Sequence, residues 1–577
     1  MFPEIVLKNK KIINNSFTES DFLNLLLKNR QIKEIDYNNF FKPCFPADSD
    51  FNINQKELKK AINRVNLAIK NNENILIYGD YDVDGITATA ILWQVLHQLG
   101  ANVLPFIPDR ETDGYGIKSK SFFEFEKQKN IHFDLLITVD NGIVANTELE
   151  KIAKKHTDII ITDHHLPTEE LPKVSAIIHS TDFSGSAISW FFANQFNKTA
   201  DIGLAAAGTV ADCLPLIGVN RSIVIHGLKS LQSNPNPGIQ KLIEVSDIKQ
   251  DSISAYDLGF VIGPRINAVG RLSNPTDALR LLCSQNSIQA TKFAQNLDKF
   301  NKDRQDIQKE NLKIAENIIC RDDQSGRLNQ NPKSTSNKNK LIFIAHKEFL
   351  PGIIGLIAGR LTEKYYLPSI IISVGDEYSK GSCRSIKELN IVNALRLSVE
   401  THHSASLQQK KSSPLLLELG GHAGAAGFTI LTKNIAKFQT KITKLINNQL
   451  EDTDLKPSII VESEMKLSAV NIKNCRLIGK FEPFGIDNPK PLFLFKNLRI
   501  IQKRVLGSTG DHLKLKLDDP NTNKLENIPA DAIAFKKGEL DGQFKTGDLI
   551  NIIASLDLNV WNGQTSPQLI VKEIFPV

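Results

Sequence analysis

Cysteine is scarce in this chain, and the few cysteines are scattered. The 577 residues include six of them, at Cys44, Cys213, Cys283, Cys320, Cys383 and Cys475. No two of them form a CxxC pair, which argues against a structural zinc site. The spacing also gives no disulfide framework, so we expect reduced thiols and a cytoplasmic protein.

Long apolar runs and a strong excess of one charge are also absent. The sequence has no uninterrupted apolar span of the length that a membrane helix needs, and its start lacks the basic and then apolar layout of a signal peptide. A net charge of +6 permits nucleic-acid binding without requiring it. The length and the ordinary hydrophobic content of 41% predict several soluble domains. We therefore expect a protein with no membrane contact that is monomeric by default.

What the chain does have is a cluster of aspartates at a predicted turn. Asp80, Asp82 and Asp84 follow the apolar run 75–77 and precede the helix-like run 86–99. Burying alternate aspartates together is costly unless a cation neutralises their repulsion. Oxygen-rich sites of this kind suit hard cations such as Mg²⁺ or Mn²⁺. A solvated turn is the alternative, because Asp-Gly is also a common turn signal.

Three further apolar segments lead into polar side chains. The run 134–139 ends in Asp140, the run 158–162 ends in the triplet 163–165, and the run 204–211 leads into Asp212. Short apolar runs that alternate with helical stretches predict a parallel sheet, and ligands bind beyond the carboxyl ends of such strands. The side chains expected at this edge are Asp82, Asp84, Asp140, His164 and Asp212.

The composition divides the chain into five regions. These are an N-terminal helical region at 1–70, an α/β region at 71–215, a helical connector at 216–340 with a flexible polar insert at 321–340, a second α/β region at 341–450, and a β-rich region at 456–577. In the last region, stretches such as 513–517 alternate apolar and basic residues. This alternation predicts half-buried strands and a small β-barrel of OB type.

The ordered motifs resemble the DHH phosphoesterase superfamily, whose name-giving triplet is present as Asp163, His164 and His165. From about residue 50 onward the layout resembles the RecJ single-strand-specific exonucleases of bacteria. The further matching motifs are 108–110 with 114–116, 263–268 with 270–272, 381–385, 420–428, and 481–485 with 488–489. The resemblance implies an α/β protein with a parallel-sheet DHH domain and an α/β DHHA1 domain joined by a long helical connector, followed by a C-terminal OB-type β-barrel.

The resemblance also implies a site for two divalent ions, Mg²⁺ or Mn²⁺. Its implied metal ligands are Asp82, Asp84, Asp140, His164 and Asp212, with Asp140 or Asp212 as the bridge. Asp80 either joins them or acts from outside the ligand set. His165 has the role of a transition-state stabiliser or proton donor, with a structural role as the alternative, and Asp163 orients its neighbours.

Nucleic-acid contacts are implied at a second set of residues in the matching motifs. They are Arg110, Arg265, Asn267, Arg271, Ser382, Arg384, Gly420, Gly421 and His422. Arginine can bind phosphate in a bidentate way, but a surface ion pair is the alternative for each arginine. The glycines either cradle a nucleic-acid backbone or form a tight packing turn. In the β-rich region, Lys503, Arg504, Lys514 and Lys516 are candidates for tracking a single strand, and Trp561 is a candidate either for base stacking or for the barrel core.

The function implied by the resemblance is 5′→3′ degradation of single-stranded DNA to mononucleotides, in DNA repair and recombination. A single-strand-binding protein and a helicase are the implied partners. The alternatives are a phosphodiesterase of short oligoribonucleotides or cyclic dinucleotides, which would not need the barrel, and an inert DNA-binding scaffold, which would not need the ligands. Two positions depart from the family pattern, at 349–350 and at 179–180, and neither removes an implied ligand.

Overall fold

The computed structural model describes residues 3–110, 112–114, 116–324, 339–399, 415–507, 509–521 and 528–577. Most of the polar insert predicted at 321–340 lies outside these ranges. Among the helices of the described ranges, none combines the length and the apolar character that a membrane crossing requires. The chain forms two compact units, which we call the larger unit (Ile5–Asp298 with Ile459–Val577) and the smaller unit (Met1–Glu4 with Lys299–Ser458).

The strands are distributed over the whole chain. In order they are β1 (Glu4–Leu7), β2 (Ile12–Ile13), β3 (Ile75–Tyr78), β4 (Val103–Phe106), β5 (Leu135–Val139), β6 (Asp158–Asp163), β7 (Ala176–His179), β8 (Ile342–His346), β9 (Ser369–Ser373), β10 (Tyr378–Arg384), β11 (Leu416–His422), β12 (Ala425–Leu431), β13 (Ser458–Val461), β14 (Ser463–Met465), β15 (Phe493–Leu506), β16 (His512–Asp518), β17 (Ala530–Ala534), β18 (Leu549–Trp561) and β19 (Gln564–Pro576).

The helices are also distributed along the chain, and the longest run of consecutive helices, α7 to α14, lies between β7 and β8. In order they are α1 (Glu19–Asn29), α2 (Tyr37–Phe41), α3 (Gln55–Lys70), α4 (Val83–Gln98), α5 (Ser119–Lys129), α6 (Asn146–Ala153), α7 (Gly185–Ala193), α8 (Ile202–Ala211), α9 (Gly218–Ser233), α10 (Pro237–Val245), α11 (Ala255–Asp257), α12 (Gly263–Leu272), α13 (Thr276–Cys283), α14 (Ser287–Gln324), α15 (Ile354–Tyr365), α16 (Ile391–Val399), α17 (Ile435–Gln449) and α18 (Ile472–Gly479).

A five-stranded parallel sheet, in the order β4-β3-β5-β6-β7, organises the first part of the larger unit. Its central strands are buried on both faces, as the unbroken Ile, Leu and Val runs of β3 and β5 require. In register, Ile75 lies beside Leu135, and Leu135 lies beside Asp158. The carboxyl ends of β3, β5 and β6 therefore meet at one edge, as the sequence predicts.

The prediction of a strand at 204–211 is wrong, because this segment lies in the helix α8. Asp201 caps the helix by accepting the N–H groups of Gly203 and Leu204. Alanine is the strongest helix former, and the small side chains let α8 pack closely against α4 and α7. A short apolar run does not distinguish a buried strand from a buried helix. Asp212 therefore follows a helix.

The C-terminal region of the larger unit closes into a five-stranded barrel. Its strands pair in the ring β15-β16-β17-β19-β18 and back to β15, with β17 and β19 parallel and the other pairs antiparallel. This is the connectivity of an OB-fold, as predicted. The strands extend further than the sequence pattern suggests, since β18 and β19 form one long hairpin that ends at Trp561.

The N-terminal segment departs from the predicted helical region, because β1 and β2 precede the first helix. β2 pairs with β14, which in turn pairs with β15 of the barrel. Ile13, Phe22 and Leu26 share one hydrophobic core with Phe493 and Ile552. A strand of two residues is too short to show periodicity, so the sequence carries no signal for it. The segment is thus part of the packing of the barrel.

The smaller unit contains a mixed five-stranded sheet in the order β11-β12-β10-β9-β8. β8 and β9 are parallel, and the other neighbours are antiparallel. Its core packs Ile370, Cys383 and Phe428 against Phe438 of α17. The boundary between the two units falls within α14, the long helix of the predicted connector.

Candidate metal centre

The turn after β3 brings its aspartates to the start of α4. Asp82 caps the helix, and its Oδ1 accepts the Gly85 N–H at 3.0 Å. The turn is tight, since a Cβ on Gly85 would lie 2.6 Å from the backbone nitrogen of Asp80. From α12, Asn267 Oδ1 accepts the Val83 N–H at 3.0 Å and fixes the backbone between two of the aspartates.

Asp84 is held from the opposite side by backbone donors. Its Oδ2 accepts the Gly185 N–H at 2.6 Å and its Oδ1 accepts the Ser186 N–H at 2.9 Å, both at the start of α7. Glycine is needed around it, because a Cβ on Gly208 would lie 2.4 Å from Asp84 Oδ1. A Cβ on Gly185 would likewise lie 2.5 Å from Asp140 Cβ. Two helices therefore approach the carboxylates without covering them with side chains.

Asp140 and His164 face each other at the ends of neighbouring strands. Asp140 has a left-handed backbone with φ of 60°, and its N–H donates to Thr162. His164 Nε2 lies 3.1 Å from Asp140 Oδ1, 3.6 Å from Asp212 Oδ2 and 3.9 Å from Asp84 Oδ2. Among the described residues, the buried Asp140 Oδ1 has no hydrogen-bond partner. An imidazole nitrogen and three carboxylates thus surround one point.

The Asp163 side chain organises the triplet at the end of β6. Its Oδ1 accepts the N–H groups of His164 at 2.7 Å and His165 at 3.1 Å, and its Oδ2 accepts the Ile143 N–H at 2.9 Å. The same Oδ1 lies 2.7 Å from His165 Nδ1. Burial alone raises the pKa of Asp163, but the hydrogen bond and charge of His165 outweigh it and bring the pKa below its usual value. Asp163 therefore fixes the orientation of the His165 ring.

The carboxylates raise each other's pKa values. Burial is the main cause at each of them, followed by the charge of a neighbouring aspartate. The pKa of Asp80 and that of Asp212 rise to about 8, and the pKa of Asp140 rises well above its usual range. Burial lowers the pKa of His164, which favours the neutral imidazole that a metal ligand requires. The charges of His165 and Arg110 lower the pKa of Asp80 only in part, so the carboxylate cluster remains short of positive charge, which a divalent cation would supply.

The donor atoms fall into three overlapping groups in which all ligand atoms lie within 4.8 Å of one another. The groups are Asp84 with His164 and Asp212, Asp80 with Asp82 and Asp140, and Asp140 with His164 and His165. All five side chains expected as ligands are thus brought together, and Asp80 lies with them. Asp140 and His164 each belong to two of the groups, and of these two side chains only the Asp140 carboxylate has two oxygens with which to bridge two cations.

The arginines expected to bind phosphate in the larger unit occupy different surroundings. Arg110 is exposed, with its guanidinium 5.4 Å from the centre of the Tyr81 ring. Arg265 is paired with Asp298 at 2.9 Å and donates to the Val261 carbonyl at 2.8 Å, so this side chain is held in an ion pair. Arg271 lies on α12, and its charge acts on the hydroxyl of Tyr81, whose pKa burial raises to about 12.

Four of the expected nucleic-acid residues of the smaller unit, all except Gly421, share one face of its sheet. Across β10, β12 and β11, Ser382 is in register with Gly427 and Gly420, while Arg384 is in register with Ala425 and His422. Gly420, Gly421 and His422 are exposed, and Gly421 has a φ of +136° that favours glycine. Arg384 donates to the Cys383 carbonyl at 2.9 Å. The glycines lie in a hairpin, so a helix–sheet packing turn is not what they form.

Sequence reasoning missed the backbone donors of Gly185 and Ser186. The available signal was the helix start at Ser184, whose side chain accepts the Ala187 N–H at 3.2 Å. It also missed the effect of the departure at 179–180, where His179 Nε2 lies 2.7 Å from the His165 carbonyl.

At the other departure from the family pattern, Phe349 is buried and Leu350 is 43% exposed. Trp561 is 72% exposed at its hairpin tip, which excludes the barrel core as its place.

Three family models match consecutive parts of the chain. The DHH family N-terminal domain matches residues 74–214, the DHHA1 domain matches residues 337–448, and the RecJ OB domain matches residues 461–573. They leave the intervening helical connector unmatched. The order of the three domains is that expected from the motifs.

Curated relatives and a solved structure match most of the chain. It is 31% identical to the single-stranded-DNA-specific exonuclease RecJ of Bacillus subtilis, over 91% of this chain and 64% of that protein. It is 29% identical to the enzyme of that name from Haemophilus influenzae, over 99% of each. The chain thus spans less than two thirds of the length of the B. subtilis relative. The crystal structure of RecJ from Thermus thermophilus in complex with Mn²⁺ matches with a TM-score of 0.77 at 26% identity, over 96% of this chain and 76% of that one. The motifs, the three matched domains and these relatives agree that the chain is similar to the RecJ family of DHH phosphoesterases over most of its length.

Proposed function

We propose that this protein is a metal-dependent exonuclease that hydrolyses single-stranded DNA. The convergence of carboxylates and His164 at one edge of the parallel sheet carries the proposal. It is supported by the relatives, which are named as single-stranded-DNA-specific exonucleases, and by the Thermus enzyme in complex with Mn²⁺.

The donor set fits two divalent cations of the Mg²⁺ or Mn²⁺ class. We assign Asp82, Asp84, Asp140, His164 and Asp212 as their ligands, and Asp140 as the bridge because its carboxylate belongs to two donor groups. Asp80 lies within one group and is the candidate for a further ligand. When bound, two such cations stabilise the negative charge on the attacking and leaving oxygens of phosphodiester hydrolysis.

The protein's own residues position the substrate around this centre. Asp163 holds the His165 ring through Nδ1, and we assign His165 to the scissile phosphate as a stabiliser or proton donor. Arg110, at the exposed edge of the aspartate turn, is placed to bind a phosphate. Asn267 acts on the backbone of Val83 and is better described as a positioning residue.

The barrel offers a surface for the strand away from the metal centre. Arg504 and Lys514 are cross-strand neighbours, and Lys516 follows on the same side of β16. Trp561 stands exposed at the tip of the β18–β19 hairpin, where a base can stack on it. In the smaller unit, the glycine face with Ser382 and Arg384 is the second candidate for backbone contacts.

Polarity, product and cellular role belong to the proposal as well. We propose attack from the 5′ end with release of mononucleotides, in DNA repair and recombination. A cytoplasmic location remains a prediction from the scattered cysteines, and cooperation with a single-strand-binding protein and a helicase remains a prediction from the family resemblance.

Digestion of end-labelled DNA tests the proposal. We expect early release of labelled mononucleotide from a 5′-labelled single strand in Mg²⁺ or Mn²⁺, and late release from the 3′-labelled strand. Matched duplex DNA and RNA should resist cleavage. Activity confined to short RNA or cyclic dinucleotides would support the phosphodiesterase alternative, and binding without cleavage in either metal would support the scaffold.

A further inference from the structure

Two aromatic side chains stand exposed and stacked on the larger unit. Tyr256 is 66% exposed and Phe260 is 69% exposed. Their ring centres lie 4.9 Å apart, with the ring planes inclined by 25°. Large apolar side chains on a protein surface are usually scattered singly, and an adjacent pair that packs against itself is a feature of binding surfaces.

The pair lies where the helix changes its winding. Between α11 and α12, residues Leu258–Ile262 form a π-helical turn that carries Phe260. Pro264 has no N–H to donate to the carbonyl four residues earlier, which is that of Phe260, and its ring would crowd that carbonyl in a regular α-helix. Wide turns of this kind occur frequently at functional sites. The local sequence therefore enforces the unusual presentation of Phe260.

The glycines of this turn pack against side chains that neighbour the candidate metal ligands. A Cβ on Gly259 would lie 3.3 Å from Val210 Cγ1, and a Cβ on Gly263 would lie 3.7 Å from Val83 Cγ2 and 3.8 Å from Ala211 Cβ. Val83 stands between two of the proposed ligands, and Ala211 immediately precedes a third. The π-helical turn that carries Phe260 thus packs beside residues that adjoin the candidate metal ligands.

We propose that Tyr256 and Phe260 form a stacking platform for bases of the single strand whose scissile phosphate enters the metal centre. This inference rests on the proposed function and adds a binding site to it. Bases of any sequence stack on aromatic rings, which suits an enzyme that must pass along a strand. Arg271 continues the same helical run and adds positive charge for the phosphates. The packing of the same turn beside Val83 and Ala211, which adjoin the candidate ligands, favours a nucleic acid over a protein as the occupant.

Binding of an oligonucleotide to the full chain tests the platform. The probe is a fluorescently labelled, 5′-phosphorylated oligo(dT), measured by anisotropy with Ca²⁺ in place of the catalytic cation. We expect Tyr256→Ala with Phe260→Ala to weaken binding about tenfold. Tyr256→Phe with Phe260→Tyr should bind like the wild type, because both rings remain. Ile288→Ala, which removes an exposed apolar side chain elsewhere on the unit, should also leave binding unchanged.

A series of oligonucleotides, each with one abasic position near the 5′ end, separates stacking from a structural effect. We expect the wild type to lose affinity at one or two positions, and the double alanine variant to show no further loss there. Unchanged binding by that variant would overturn the proposal, as would an equal loss on every abasic strand. Altered self-association or protein binding with unchanged DNA affinity would overturn it in favour of a protein surface. Cleavage of the intact strand by the wild type in Mn²⁺ tests the proposed function separately.

Discussion

At the scale of single residues, three aspartates of the metal centre are each held by a different set of hydrogen-bond donors. Asp82 caps a helix, Asp84 accepts two backbone N–H groups, and Asp163 accepts backbone and imidazole donors. Asp140 alone among these four keeps a buried oxygen without a hydrogen-bond partner in the described part of the chain. Such an oxygen costs free energy unless a cation binds it. The environment of Asp140 Oδ1 therefore favours a centre that holds a bound cation.

Replacing Asp84 by Asn should remove the metal-dependent activity and also cost some stability, because one of the two oxygens that accept backbone N–H groups becomes an NH₂ donor. The amide keeps the size of the side chain but loses the charge that would hold the cation, so we expect DNA cleavage to fall by about a thousandfold or more. Mn²⁺ binding, measured by titration calorimetry, should fall with it.

Asp201→Asn is the matched control for Asp84→Asn. Asp201 is half-buried, caps α8 and belongs to none of the donor groups. Asparagine caps a helix about as well as aspartate, so cleavage and Mn²⁺ binding should stay near the wild-type values. Equal losses in both variants would mean that Asp84 acts through stability alone.

At the scale of elements, the metal centre depends on the close approach of α4, α7 and α8. Their contact surfaces are built from Ala, Gly and Ser, and Gly208 of α8 faces Ser186 of α7 and Asp84 of α4. The same composition explains why the strand prediction for 204–211 is wrong. Small apolar side chains are needed here for the close packing of α8 against its neighbours, and they do not distinguish a helix from a strand. The true strands β3, β5 and β6 were predictable, because their β-branched runs end in turn residues.

Gly208→Ala should destabilise the protein, although an alanine usually stabilises a helix. The new Cβ would lie 2.1 Å from Ser186 Oγ and 2.4 Å from Asp84 Oδ1, so α8 must shift. We expect a loss of about 1–3 kcal/mol in the free energy of unfolding, measured by denaturant titration, together with reduced cleavage. Gly479→Ala, where nothing lies within 4 Å of the new Cβ, should be neutral or slightly stabilising. Similar effects of the two substitutions would contradict the packing described.

The contact between α5 and α6 should make stability depend on pH. Glu148 accepts hydrogen bonds from Lys151 and from the N–H and Oγ–H of Ser119, which lower its pKa from 4.5 to about 2. The stabilisation is fully present above pH 4.5 and is lost as the pH falls towards 2. Glu148→Gln should therefore cost about 1 kcal/mol at pH 7, and this difference should shrink between pH 4.5 and pH 3.

Thermal unfolding of the wild type and the variant across this pH range measures the Glu148 effect. Glu150→Gln, at an exposed position of the same helix, serves as the control and should change little. A difference between Glu148→Gln and the wild type that stays constant from pH 7 to pH 3 would show that charge plays no part.

At the scale of the whole molecule, the N-terminal segment, α9 and the start of the barrel region are joined inside the larger unit. Arg221 of α9 is 1% exposed and donates to the carbonyls of Phe40, Phe481, Glu482 and Pro483. It also lies 4.0 Å over the Phe40 ring. This connection was not predictable, because its acceptors are backbone carbonyls far apart in the sequence and carry no residue signature.

Arg221→Met should lower the stability of the larger unit strongly. The substitution leaves buried carbonyls without donors, and we expect a loss of about 3 kcal/mol or more in the free energy of unfolding. Arg280→Met removes an exposed arginine from the same unit and should cost less than about 0.5 kcal/mol. Calorimetric unfolding of both variants measures the contrast, and a small effect of Arg221→Met would refute the connection.

The order of domains and the clustering of the aspartates with His164 were within reach of the sequence, while the contacts that support these side chains were not. Aspartates and histidines after buried strands indicate a site because parallel strands end at one edge. The pairing of Arg265 with Asp298 and the use of Asn267 to hold Val83 depend on helix packing, which the motif at 263–268 does not reveal. Both residues were expected to contact nucleic acid, and the structure gives each a contact within the protein.

The central claim is that the assembled carboxylates hold cations that act directly on the scissile phosphate. The measurement that tests it most directly is cleavage of a strand whose terminal scissile phosphate carries sulfur in place of one non-bridging oxygen, compared in Mg²⁺ and Mn²⁺. Mg²⁺ binds sulfur poorly and Mn²⁺ binds it better. The account predicts that one phosphorothioate isomer is cleaved slowly in Mg²⁺ and recovers in Mn²⁺, while the unmodified strand is cleaved in both. Equal cleavage of both isomers in the two metals would contradict it.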